Sequence, residues 1–169
     1  MNQKNTGYVA IKFKEESIRK LNIFASQIGS ENLFYKKIGG EMEGGDVANK
    51  AHLTLFYGLN DLTVNKNEIK KILSQIFIDK VYVEKLSLFE IKEFGCKALI
   101  LKVIDKEGKL KKSNDNLGMF ETVTGSQKFD FIPHITIAYV KKEFKPAPGI
   151  LESFPRELEV ESIEYLVKK

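Results

Sequence analysis

The chain has 169 residues, 43% hydrophobic and 30% charged, with a net charge of +4 and one cysteine. This is the composition of one soluble globular domain spanning 1–169, with enough phenylalanine and tyrosine to build a core without staples. Cys96 alone excludes an intramolecular disulfide, no apolar run approaches the roughly 18 residues of a membrane helix, and the polar start MNQKNTG is not a signal peptide, so a cytoplasmic location is expected.

GYVAIKF (7–13) alternates, with Val9, Ile11 and Phe13 on one face and Tyr8, Ala10 and Lys12 on the other, and reads as a strand. Residues 15–28 follow as a helix with Ile18, Leu21, Ala25 and Ile28 on one stripe and Gly29 as its stop. Residues 33–50 are irregular, and GGEMEGG (39–45) predicts a flexible loop or a tight turn. AHLTLFYGL (51–59) is a strand. Residues 65–77 form a helix, capped by Asn65 and Glu68, with an apolar stripe of Ile69, Ile72, Leu73, Ile76 and Phe77. Residues 81–92 and 96–104 make a hairpin, with a bulge near Lys85 where the alternation slips. A weaker helix over 107–121 carries Leu110, Leu117 and Phe120. The strand of PHITIAYVK (133–141) comes next, then a stiff KPAPG loop (145–149) and a last strand over 157–167. Each half thus has a strand, a helix and a histidine-bearing strand. The duplication is read from this order and from the histidine motifs, with no wider sequence repeat.

The chain has two histidines, and both begin the same phrase: HLTL at 52–55 and HITI at 134–137, with a tyrosine at the fifth position after each histidine. In a strand, residues two apart share a face. His52 and Thr54 therefore point one way, as do His134 and Thr136, while Leu53, Leu55, Ile135 and Ile137 point into a core. By the same count Tyr57 and Tyr139 fall on the apolar side as packing residues, unless the strand bends at its end and turns them to a ligand. Two such strands on one cleft bring two imidazoles and two hydroxyls to one small anion. One histidine removes a proton from an attacking hydroxyl or water, and the other gives a proton to the leaving oxygen. The threonine hydroxyls donate to the non-bridging phosphate oxygens. A single histidine on a strand is usually structural; two copies in matched contexts argue for chemistry. Two histidines and one distant cysteine do not make a zinc site, and no local signature marks a serine nucleophile.

With both motifs intact, the sequence resembles the 2H phosphoesterase superfamily, named for its two H-x-[T/S]-x motifs. The resemblance extends in element order from GYVAIKF to SIEYLVKK (162–169), and the wording HLTLFYGL and FIPHITIAYVKK is similar to phage-encoded members. It implies an α+β fold of two pseudo-symmetric lobes, with antiparallel sheets forming a concave cleft and helices on the outer faces. It implies a metal-independent phosphodiesterase with His52 and His134 as the catalytic pair, Thr54 and Thr136 as phosphate binders, and no cofactor or metal. The substrates implied are nucleotides or short oligonucleotides: 2′,3′-cyclic phosphate ends, 2′-5′ linkages or cyclic oligonucleotide signals, the last fitting phage counter-defence. No membrane and no obligatory protein partner is expected. The rival readings are a nucleotide-binding module that sequesters its ligand without turnover, and a structural protein with an inherited fold.

Substrate-binding candidates beyond the motifs are Tyr8, Phe129 and Phe131 for stacking on a base, each otherwise a packing residue. Lys12, Lys36, Lys128, Lys141 and Lys142 are candidates for flanking phosphates. Glu41 and Glu43 either read a base edge, if the glycine-rich loop closes over a nucleotide, or face water. Which histidine is the base is open.

Overall fold

The computed structural model describes residues 5–123 and 130–168. In chain order its elements are β1 (Thr6–Phe13), α1 (Glu15–Ala25), β2 (Tyr35–Ile38), β3 (Glu41–Gly44), β4 (His52–Asn60), α2 (Lys66–Ser74), β5 (Lys80–Ile91), β6 (Cys96–Ile104), α3 (Lys109–Leu117), β7 (His134–Lys141), α4 (Pro148–Glu152) and β8 (Glu157–Val167). No helix among the described residues is long and apolar enough to cross a membrane.

The expected strands form where alternation predicts them, and the slip near Lys85 is a register shift between β5 and β6. Asn65 caps α2 by accepting from the backbone N–H groups of Asn67 and Glu68, at 3.1 and 3.3 Å. The helix ends at Ser74, short of the predicted 77. Phe77, placed on its apolar stripe, is accordingly 80% exposed. Two further readings are corrected. In the glycine-rich segment the tight turn holds and the flexible loop does not: residues 35–44, read as irregular, pair as the β2–β3 hairpin. Gly39 and Gly40 both adopt positive φ (+59° and +92°) between the paired residues Ile38 and Glu41, the two-residue turn that suits strand twist. Within the KPAPG segment, Pro148 opens the short helix α4, where its missing N–H costs nothing.

Six strands close a ring in the order β1–β4–β7–β6–β5–β8, every neighbour antiparallel. Two seams in the ring are narrow. Between β4 and β7 the register is the single pair Leu53–Ile135, and between β5 and β8 it is Lys80–Tyr82 against Glu157–Glu159. The seams divide the ring into two three-stranded sheets, β8–β1–β4 and β5–β6–β7, each carrying one histidine strand at the β4–β7 seam. Val9, Ile11, Leu53, Leu99, Leu101 and Ile135 are buried beneath both sheets in one continuous core with Leu21 and Phe24 of α1 and Leu110 and Leu117 of α3. The opposite face of the sheets carries the histidines.

The registers reveal a repeat that the sequence reading did not recognise. Lys12 of β1 pairs with His52 and Ala10 with Thr54; Lys102 of β6 pairs with His134 and Ile100 with Thr136. YVAIKF (8–13) and ALILKV (98–103) are therefore equivalent segments, each carrying a lysine beside a histidine.

Candidate active site

Antiparallel pairing about Leu53–Ile135 sets the four motif residues. On either side of that pair, His52 stands across from Thr136 and Thr54 across from His134, so each imidazole neighbours a hydroxyl from the other strand. Extended across four strands, one row is Lys12, His52, Thr136, Ile100 and the other is Ala10, Thr54, His134, Lys102. Ala10 and Ile100, both fully buried, make the floor at the two ends.

Each imidazole is held in the same way. The Nδ1 of His52 lies 3.0 Å from the carbonyl oxygen of Lys50, and the Nδ1 of His134 lies 2.8 Å from that of Ile132. A carbonyl only accepts, so Nδ1 carries the proton in both rings and Nε2 is left for a ligand. The rings are braced by aromatics: Tyr8 is tilted against His52 at 6.2 Å, and Phe89 meets His134 edge-on at 5.4 Å. Burial pushes the His52 pKa below its ordinary 6.5. The bond to Lys50 opposes this, while the charges of Lys12 and His134 add to it.

A bulge follows each motif. Thr54 pairs with Ala10 but Phe56 pairs with Val9, which leaves Leu55 extra; Thr136 pairs with Ile100 but Ala138 pairs with Leu99, which leaves Ile137 extra. Neither freed carbonyl is orphaned. Asn114 Nδ2 of α3 donates to the Leu55 oxygen at 2.7 Å, and the Val47 N–H donates to the Ile137 oxygen at 2.9 Å. The extra residue reverses the alternation, so Tyr57 pairs with Tyr8 and Tyr139 with Ala98 on the histidine face. The count that put both tyrosines on the apolar side is thereby corrected. Tyr57 is 49% exposed and lies 6.1 Å from the Tyr8 ring. Tyr139 is half-buried, and burial pushes its phenol pKa up.

A groove of about 1010 Å³ takes in Thr54 and His134 and continues past Tyr57, Phe89, Phe131 and Asn114. Of the predicted binding residues, Phe131 lines this groove, while Tyr8 and Lys12 stand beside His52, outside it. Lys141 is at neither place. It closes the far end of β7, paired with Cys96, seven residues from His134 and about 23 Å along an extended strand. Lys142 is exposed just beyond it. Lys36 sits 3.6 Å over the Phe94 ring, and Glu41 and Glu43 are exposed on β3, whose hairpin flanks the second half of β7 through the bridges Leu33–Val140 and Asp46–Ala138. Lys128 and Phe129 lie outside the described residues. Lys102, Phe89 and Asn114 are the site residues that sequence reading missed; matching IKF (11–13) to LKV (101–103) would have found the lysine. Among the described residues, no group of three His, Cys, Asp or Glu side chains is arranged to hold a metal ion.

No family model matches the chain, and no curated protein does. Solved structures do. A phosphoesterase crystal structure is 15% identical over 98% of this chain and 96% of its own, with a TM-score of 0.57. Escherichia coli LigT complexed with phosphate is 14% identical over 98% and 95%, with a TM-score of 0.55. The same protein complexed with 3′-AMP is 16% identical over 98% and 96%, with a TM-score of 0.51. The chain shares the antiparallel α+β fold of these phosphoesterases over nearly its whole length.

Proposed function

We propose that the chain is a 2H-type phosphodiesterase that cleaves phosphodiester bonds in nucleotides or short oligonucleotides. The substrates meant are 2′,3′-cyclic phosphate ends, 2′-5′ linkages and cyclic oligonucleotide signals. One observation carries the reading: both histidines of the chain give Nδ1–H to a backbone carbonyl two residues upstream and present Nε2 on one face, each across from a threonine of the other strand. A binding module has no use for two imidazoles prepared in this way. The shared fold of the phosphoesterase structures supports the same reading, as does the phosphate bound by LigT.

In the proposed reaction, His52 Nε2 takes the proton of the attacking water or ribose hydroxyl as its oxygen bonds to phosphorus. His52 suits this role because burial favours its neutral form. His134 Nε2–H gives its proton to the leaving oxygen as the phosphorus–oxygen bond breaks. Thr54 and Thr136 donate hydrogen bonds to the non-bridging oxygens, where charge accumulates in the transition state. The reading includes a cytoplasmic location, supported by the single thiol of Cys96.

The test is chromatographic product analysis on a nucleotide panel with the wild type, His52→Ala and His134→Ala. Each substitution is expected to lower turnover by roughly 10²–10⁴-fold, the range for a general acid or base. The double variant should lose far less than the product of the two, because the pair acts as a unit. Tight binding by the wild type without turnover on any member of the panel would identify a sequestering module instead.

A further inference from the structure

We propose that Lys12 and Lys102 form two flanking phosphate subsites, one on each side of the histidine pair, and that the preferred substrate is an oligonucleotide, linear or cyclic, with a phosphate on both sides of the bond that is cut. The proposal rests on the reading of the site as a phosphodiesterase. Lys12 is the cross-strand partner of His52, and Lys102 that of His134, so both lysines project from the histidine face. Both are half-buried, and neither has a carboxylate within ion-pair distance among the described residues. Partly desolvated ammonium groups without a counter-ion favour the arrival of an anion.

Their placement assigns them to the neighbours of the scissile phosphate. The central phosphate is already met by two imidazoles and two hydroxyls from β4 and β7. The lysines lie one strand further out on each side, on strands separated by three spacings, roughly 14 Å. The Nζ of Lys102 stands 6.0 Å from the ring of Phe89 on β5, a ring that itself lies against His134. The two lysines are equivalent under the repeat that relates β1 to β6, so the site extends equally in both directions along a phosphate backbone. A nucleoside 2′,3′-cyclic monophosphate leaves both positions empty.

The experiment compares kcat/KM for a nucleoside 2′,3′-cyclic monophosphate with that for a short 2′-5′ linked oligonucleotide. Lys12→Met and Lys102→Met keep the apolar stem and remove the charge; Lys→Arg at each position restores it. Wild type is expected to prefer the oligonucleotide, each methionine variant to cut that preference about tenfold through KM, and arginine to recover most of it. The slope of log kcat/KM against log salt should become shallower by about 0.7 for each lysine removed. The proposal is overturned if the preference is the same in wild type and both variants. It is also overturned if both substrates lose kcat equally, which would put the lysines on the scissile phosphate. If no substrate is turned over at all, the phosphodiesterase reading fails by itself. The salt slope of oligonucleotide binding then decides the lysines: a shallower slope in the variants sustains the two subsites, and an unchanged one removes them.

Discussion

With Nδ1 committed to a backbone carbonyl, each imidazole keeps one nitrogen for chemistry, and burial sets the protonation of His52. The His52 pKa is lowered, so the consequence for stability has a definite sign. Well above pH 6.5 the ring is neutral in both folded and unfolded chains and contributes no pH dependence. As pH falls below 6.5 the unfolded ring takes up a proton that the folded ring resists, and the balance moves toward unfolding. His52→Asn, which keeps a donor for the Lys50 carbonyl, should therefore gain in urea midpoint relative to wild type between pH 7 and pH 5; parallel curves would remove the burial argument. The acid limb of kcat/KM should likewise lie below 6.5 and vanish in this variant. Turnover should also survive EDTA and dialysis, because among the described residues no group of three His, Cys, Asp or Glu side chains is arranged to hold a metal ion. Loss on chelation with rescue by a divalent ion would replace acid–base catalysis with metal catalysis. At this scale alternation places His52 with Thr54 and His134 with Thr136 on one face, as the registers do. It was misleading at Tyr57 and Tyr139, because a period-two count carries no information about an inserted residue.

The two bulges do at the scale of the element what the motifs do at the scale of the residue. Each ends the short run in which histidine and threonine share a face, and turns the following tyrosine to that face. A bulge leaves a carbonyl without its ladder partner, and in β4 that carbonyl depends on one side chain, Asn114 of α3, reaching 59 positions along the chain. Asn114→Ala is expected to lose about 1–3 kcal/mol of unfolding free energy, the cost of a stranded buried acceptor. It is expected to raise KM as well, since Thr54 and Tyr57 flank the bulge. Asn114→Asp gives no N–H to the carbonyl and should not rescue it. A denaturation midpoint in Asn114→Ala equal to wild type would mean that water satisfies the Leu55 oxygen. No local pattern announces this bond, because α3 reads only as a weak amphipathic helix. The β2–β3 hairpin was obscured for a related reason. Its strands are four residues each and mostly exposed, so they lack the apolar alternation that marked β1, β4 and β7.

At the scale of the whole molecule, the site exists because two similar sheets meet at one point. Leu53 and Ile135 are the one register pair joining β4 to β7 among the described residues, and both are fully buried. This pair is the cross-seam register that sets His52 across from Thr136 and Thr54 across from His134, while the core beneath is shared by both halves. Element order in the sequence points to two related halves; the strand registers set them lysine for lysine, an equivalence that the short match of IKF (11–13) to LKV (101–103) also carries. Two ways of holding the halves together can be separated by a double-mutant cycle. Leu53→Ala should cost about 2–5 kcal/mol and Ile135→Val about 0.5–1.5 kcal/mol. If the seam is a joint in its own right, the double variant departs from additivity by about 0.5–3 kcal/mol, as neighbours sharing a contact do. Both single variants, assayed well below their unfolding temperatures, should then lose kcat although neither substituted side chain faces the cleft. If instead the common core alone aligns the sheets, the two losses add, and kcat in the folded protein stays at the wild-type value.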